Sequence, residues 1–143
     1  MPIVEKSVLI ERTPAQMFEL VDAVERYPEF LPWCGGTTCH ERMAEVTVAT
    51  LQLVYRGIRS QWSTRNDKTY PHDMRIHLRE GPFKAMEGHW RFVPLGDAAC
   101  KVEFYLHYEF SSQVLARVMG PVFNSVAETL VESFVKRTRD GHV

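Results

Sequence analysis

The stretch from Ser111 to Arg139 limits the fold of this chain more than any other. Leu115, Val118, Met119, Val122, Phe123, Val126, Leu130 and Phe134 recur there at three- and four-residue steps, which lays one apolar stripe along a helix. Ser111 or Ser112 is placed to cap its start, and Lys136, Arg137 and Arg139 lie near its negative end. A helix of that length spans about 40 Å and needs a large apolar surface to lie on. Gly120-Pro121 predicts a kink, because proline removes a donor and crowds the preceding turn.

The upstream sequence supplies such a surface. Ile3, Val4, Val8 and Ile10 predict a strand over residues 3–11. Thr13-Pro14-Ala15-Gln16 then starts a helix with a Thr cap, Pro at the first position and Gln at the third. Met17, Leu20, Val21 and Val24 form its buried face. Tyr27-Pro28-Glu29-Phe30-Leu31-Pro32 ends it and adds one helical turn. Tyr27, Phe30 and Trp33 read there as a core plug or as a lid over a cavity mouth.

From Gly35 the apolar period becomes two. Alternating segments run over 36–43, 47–56, 58–67, 72–80, 85–94 and 100–110. Their connections are short, which predicts hairpins and an antiparallel meander. On the last segment Val102, Phe104, Leu106, Tyr108 and Phe110 share one phase, and Lys101, Glu103, Tyr105, His107 and Glu109 the other. The dry phase is rich in rings: Tyr55, Trp62, Trp90, Phe92, Phe104 and Tyr108. A sheet of seven strands twists and curls. The predicted class is therefore α+β: a seven-stranded curved antiparallel sheet wrapped around a long C-terminal helix, as one domain over residues 1–143. Strong curvature around one helix leaves gaps, which is how such a fold makes an interior cavity.

Candidate cavity residues follow from the facing phases. They are Trp33, Tyr55, Ser60, Trp62, Thr64, Ile76, Trp90, Phe92, Phe104 and Tyr108 from the strands and their approach. Phe123, Val126 and Leu130 come from the helix. Ser60, Thr64 and Asn66 share the phase of Ile58 and Trp62; they read either as groups satisfied by water or main chain near an open sheet end, or as a polar handle for a ligand. The sequence has no nucleophile elbow, phosphate loop, dinucleotide fingerprint or His-Glu-x-x-His. No carboxylate pair falls on the dry phase, so a catalyst is not expected and no cofactor is required. His77, His89 and His107 share the outer phase of three strands; zinc accepts three imidazoles, but the Arg and Glu around them belong to a solvated face. Arg56, Arg59, Arg65, Lys68, Arg75 and Arg79 split between edges and wet face. The net charge is −1, which gives no field to recruit DNA.

The 143 residues include three cysteines, an odd number that argues against a disulfide framework. No apolar run approaches a membrane span, and the N-terminal Met-Pro-Ile-Val-Glu-Lys carries charge where a leader needs an apolar region. A cytoplasmic protein with reduced thiols is expected.

An ordered set of short motifs spans most of the chain. It comprises Tyr27-Pro28-Glu29-Phe30-Leu31-Pro32-Trp33-Cys34, Tyr55-Arg56-Gly57, Thr64-Arg65-Asn66, Glu80-Gly81-Pro82-Phe83, Glu87-Gly88-His89-Trp90-Arg91-Phe92, Tyr108-Glu109-Phe110 and Gly120-Pro121-Val122-Phe123. Together they resemble the START-like (helix-grip) superfamily, in the branch that holds the mitochondrial coenzyme Q-binding proteins and bacterial ribosome association toxins. Older labels for that branch are oligoketide cyclase and lipid transport protein. The resemblance implies a hydrophobic pocket between sheet and last helix, with ubiquinone or a related isoprenoid lipid as ligand. Transient membrane contact belongs to that reading. It also implies, as alternatives, a toxin that binds the large ribosomal subunit and blocks subunit association, and a polyketide cyclase or aromatase.

Overall fold

The computed structural model describes the backbone of residues 2–142 and the side chains of residues 2–140. The chain order is β1 (Ile3–Ile10), α1 (Pro14–Asp22), a 3₁₀ segment (Val24–Glu29), β2 (Cys34–Arg42), β3 (Val46–Tyr55), β4 (Ile58–Thr69), β5 (Asp73–Glu80), β6 (Phe83–Leu95), β7 (Ala99–Phe110) and α2 (Gln113–Arg137). Thr13 caps α1 as its sequence predicts. Its Oγ1 accepts from Gln16 N at 3.1 Å, and Gln16 Oε1 accepts from Thr13 N at 2.8 Å. Ser112 caps α2, accepting from Leu115 N at 3.1 Å.

The six later strands form the expected meander. Their turns explain the sharp reversals: Arg56 and Gly57 both have positive φ, 52° and 81°, the backbone of a two-residue hairpin that matches strand twist. β1 closes the other edge by pairing antiparallel with β7, Val4 opposite Leu106 and Val8 opposite Val102. The sheet order is β1-β7-β6-β5-β4-β3-β2. Irregularities interrupt the ladder at Cys34/Gly36, Cys39/Glu41, Ser63/Thr64 and Phe83/Ala85, where extra residues sharpen twist and bend the strands.

α2 lies on the inner face of this sheet. The helix runs unbroken from Gln113 to Arg137 with Pro121 inside it, so the predicted kink does not interrupt it. Its buried side is Met119, Phe123, Val126, Ala127, Val131 and Phe134. Val118, counted in the sequence stripe, is 55% exposed. A helix turns about 100° per residue, which carries Val118 off the face that Phe123, Val126 and Phe134 define. By length and composition Gln113–Asp140 also passes as a membrane span, its most apolar 18-residue window having a mean hydropathy of 1.2. Here its apolar side faces the sheet.

Two phenylalanines anchor the contact. Phe123 meets Trp62, Phe83, Tyr108 and Phe110 at centroid distances of 5.3, 5.0, 4.6 and 5.9 Å. Phe134 meets Tyr27, Phe30 and Trp90 at 5.5, 5.3 and 5.5 Å. These edge-to-face contacts add to the burial of the rings themselves. Phe134→Ala is expected to cost about 3–5 kcal/mol, the range for emptying a buried ring site. Urea unfolding reads it, and a loss below about 1 kcal/mol would show that the helix is held elsewhere.

Candidate functional site

Between sheet and α2 lies a cavity in which the space open to the centre of a water molecule is about 80 Å³. A cavity of about 150 Å³ holds a benzene ring, so this space holds a few waters and admits a ring only as its walls give. One end is walled by Val24 and Tyr27 of the 3₁₀ segment and by Trp33. The floor comes from the inner phases of β3 to β7, and α2 forms the roof with Phe123, Val126, Ala127 and Leu130.

The register explains why space remains. Leu106, Gly88, Ile76, Asn66 and Thr47 follow one another across the sheet. Gly88 contributes no side chain to this row, and Ile76 and Leu106 lean over it. A methyl group at Gly88 would meet Ile76 Cδ1 at 2.9 Å and Leu106 Cδ1 at 3.2 Å. Ala49 on one wall and Ala127 on the roof are also small. Large rings on either side prevent collapse: Trp33 stacks on Trp62 at 5.9 Å, and Trp90 packs on Phe104 at 4.5 Å.

Of the sequence candidates, Trp33, Trp62, Thr64, Ile76, Trp90, Phe104, Phe123, Val126 and Leu130 stand on the cavity wall. Tyr55, Ser60, Phe92 and Tyr108 have the correct phase but the wrong height along their strands. A strand rises about 3.3 Å per residue, so the cavity lined by Trp62, Thr64 and Asn66 of β4 has been passed by Ser60, one step further along the same phase. Ser60 pairs with Leu53 and Tyr55 with Ile58, near the hairpin tip. Phe92 packs instead on Phe18 of α1, with ring centroids 6.0 Å apart. Tyr108 belongs to the ring cluster around Phe83 and Phe123. The wall also holds Val24, Tyr27, Ala49, Leu51, Asn66, Met86, Leu106 and Ala127. The hairpin at Arg56-Gly57 could have found two of these: it sets Leu51 opposite Trp62 and Ala49 opposite Thr64.

The polar atoms of the wall are few. Burial pushes the Tyr27 phenol well above its ordinary pKa, and its hydroxyl donates to the Val21 carbonyl. Asn66 Nδ2 lies 3.7 Å from Met74 Sδ, a weak acceptor. Among the described residues Asn66 Oδ1 and Trp33 Nε1 are buried without a partner. An unmade hydrogen bond at a buried polar atom costs about 1–3 kcal/mol.

The 3₁₀ segment that walls the cavity is tied down by charge. Arg42 Nη2 donates to Glu25 Oε1 at 2.8 Å and to the Asp22 carbonyl at 2.7 Å. Arg137, buried beside the end of α2, donates to Glu29 at 2.6 Å and lies 4.8 Å over the Phe30 ring. Lys68 does not join the outer basic face. It continues the inner phase of β4, is 8% exposed, and pairs with Asp22 Oδ2 at 3.0 Å.

On the outer face the three histidines are not abreast. His77 and His107 both pair with Glu87, whereas His89 pairs with Arg75 and Tyr105. His77 lies 3.0 Å from Asp67 and His89 lies 2.8 Å from Asp73. Among the described residues no three His, Cys, Asp or Glu side chains gather as a metal site.

A curved antiparallel sheet gripping a C-terminal helix over an apolar cavity defines a START-like helix-grip protein. The chain belongs to the polyketide cyclase/dehydrase and lipid transport family, whose profile matches residues 10–135. It is 39% identical over 136 residues to the ribosome association toxin RatA of Vibrio cholerae, covering 95% of this chain and 94% of that protein. It is 25% identical to the mitochondrial coenzyme Q-binding protein COQ10 homolog B of Xenopus laevis, over 85% of this chain and 52% of that protein. Among solved structures, a START superfamily protein from Mycobacterium smegmatis superposes with a TM-score of 0.78 at 20% identity, over 96% of this chain and 97% of that one. An 18 kDa Caulobacter crescentus protein superposes with a TM-score of 0.74 at 30% identity, over 99% of both chains.

The charge clamp on the 3₁₀ segment has a pH signature. The hydrogen bond from Arg42 is the largest cause holding the Glu25 carboxyl below its ordinary value of 4.5. A depressed folded value means the pair stabilises the fold above that value, and the contribution disappears as pH falls through the folded one. Both partners are partly exposed, so the effect is about 0.5 kcal/mol. Glu25→Gln is expected to be less stable than the parent at neutral pH, with the difference closing as acid protonates the folded Glu25. A stability difference that stays constant from neutral pH into acid in urea titrations would refute the clamp.

Proposed function

We propose that this protein is a non-enzymatic binding protein for a compact hydrophobic molecule held between the sheet and α2, a quinone-like head group being the best fit. The observation that carries this is the cavity itself: its wall is mostly rings and aliphatic side chains, with Thr64 and Asn66 among its few polar members. A flat ring stacks well on such walls. The name of the Xenopus relative, a coenzyme Q-binding protein, supports this ligand class. A substituted ring exceeds the present space and an isoprenoid tail exceeds it further, so binding requires α2 or the Val24–Glu29 segment to move outward. Against cyclase chemistry stands the wall's only titratable group among the described residues. Tyr27 is held neutral by burial and is already committed as a donor, so it makes a poor general acid or base.

The expected outcome is that protein purified from cells carries, or after delipidation takes up, an isoprenoid quinone, read by extraction and mass spectrometry. Ala127→Leu fills the roof of the cavity and is expected to abolish uptake, with Ala49→Val as a smaller intrusion if the first variant folds poorly. Uptake unchanged in both variants, or absent from the parent, overturns the reading.

A second reading, association with the ribosome, is supported by the name of the Vibrio cholerae relative. The surface that suits it is the outer face of the sheet. Arg65, Arg75 and Arg79 stand exposed there, and exposed arginines attract RNA phosphates in a salt-dependent way. The parent is expected to co-sediment with ribosomes at low salt and to lower the level of joined subunits. Arg75→Glu with Arg79→Glu is expected to abolish both effects while leaving cavity binding intact. Unchanged ribosome profiles with added parent protein would exclude this role.

A further inference from the structure

A guest larger than the cavity enters only if a wall gives way, and the two movable walls are fastened differently. The strap from Ala23 to Pro32, which holds the 3₁₀ segment, runs between two fixed points. Before it, Asp22 is pinned to the sheet, Oδ1 accepting from Thr47 Oγ1 at 2.8 Å and Oδ2 from Lys68 Nζ at 3.0 Å. After it, the Trp33 carbonyl accepts from Val54 N at 2.9 Å. In between, the backbone bonds are local. Arg26 N donates to the Ala23 carbonyl at 3.0 Å, and Phe30 N and Leu31 N donate to the Tyr27 carbonyl at 3.2 and 2.9 Å. Among the described residues no backbone hydrogen bond joins residues 24–30 to a strand or to α2.

The polar and ring ties from this strap to other elements end in two places. One is Arg42 of β2, whose Nη2 donates to Glu25 at 2.8 Å. The other is the last turns of α2, where Arg137 donates to Glu29 at 2.6 Å and covers the Phe30 ring, and Phe134 meets Tyr27 and Phe30. α2 is fastened along more of its length. Phe123 sits among Trp62, Phe83, Tyr108 and Phe110, Glu128 pairs with Lys6 of β1 at 2.8 Å, and Phe134 also meets Trp90. Raising α2 breaks all of these contacts and those to the strap. Raising the strap breaks only its own and leaves the Phe123 cluster whole.

Resting on the cavity-binding reading above, we infer that the strap is the lid of the cavity, latched by Arg42 on Glu25 and by Arg137 on Glu29. It swings between its anchors at Asp22 and Trp33 and withdraws Val24 and Tyr27 from the cavity wall, while α2 stays seated.

The test is stopped-flow mixing of the full chain with decylubiquinone, a benzoquinone with a decyl tail. The chain has three tryptophans, and Trp33, Trp62 and Trp90 all stand on the cavity wall, so a quinone inside quenches the protein's own fluorescence. Where a lid must open first, the quenching rate levels off with rising probe concentration at the opening rate. Glu25→Gln with Glu29→Gln removes both latch charges with little change of shape. It is expected to raise that limit by roughly twofold to tenfold, the worth of two partly exposed ion pairs. Glu128→Gln removes an ion pair of the same kind from α2 and is expected to leave the limit unchanged. Amide hydrogen exchange without probe is expected to speed up over residues 24–30 in the double variant and to stay the same over residues 113–137. Thermal melts check that each variant is folded, and Glu29→Gln alone serves if the double variant melts early. A limit or an exchange rate that the latch variants do not move, a limit raised by Glu128→Gln instead, or a rate that climbs without levelling overturns the lid and leaves the cavity reading standing. No quenching of the parent overturns both.

Discussion

The structure depends on one contact, the seating of the Phe123 and Phe134 rings of α2 in the aromatic lining of the curved sheet. Phe123 closes a cluster with Trp62, Phe83, Tyr108 and Phe110. Phe134 closes another with Tyr27, Phe30 and Trp90. The helix is therefore held at two places along its length. Between them it bridges the sheet and need not fill every gap beneath it.

That arrangement makes a cavity compatible with a stable fold. Protein interiors normally close-pack, and an empty space loses contacts on every side. Here the walls cannot collapse, because Trp33 is braced on Trp62 and Trp90 on Phe104. The residues facing the space in the middle are small or lean aside: Ala49, Ala127 and the Ile76 and Leu106 side chains over Gly88. The 3₁₀ segment Val24–Glu29 closes one end. It is held by Arg42 and Arg137 and by the packing of Tyr27 and Phe30 on Phe134.

The inner and outer faces of the sheet serve different chemistry. The inner face lines an apolar space under α2. The outer face is a field of ion pairs, such as Arg91 with Glu103 at 3.2 Å and His89 with Asp73 at 2.8 Å. Strand alternation keeps the two apart, since adjacent residues point to opposite faces. The residues that line the cavity are therefore distinct from those exposed on the outer face.

Periodicity alone determined the element order, the antiparallel meander and the gripped helix, because a two-residue period and a three-to-four-residue period each permit one kind of element. It also placed Trp62, Thr64, Ile76, Trp90 and Phe104 on the inner face. What alternation could not supply was height along the strands. Tyr55, Ser60, Phe92 and Tyr108 share the inner phase yet lie outside the cavity, and His89 falls out of line with His77 and His107, because hairpin registers decide which residues stand side by side. Lys68 reads as a surface charge until Asp22 is brought against it from α1. The free atoms of Trp33 and Asn66 lie still further from the sequence. Whether a polar atom finds a partner depends on every neighbour that folding delivers, and only the assembled tertiary structure settles that.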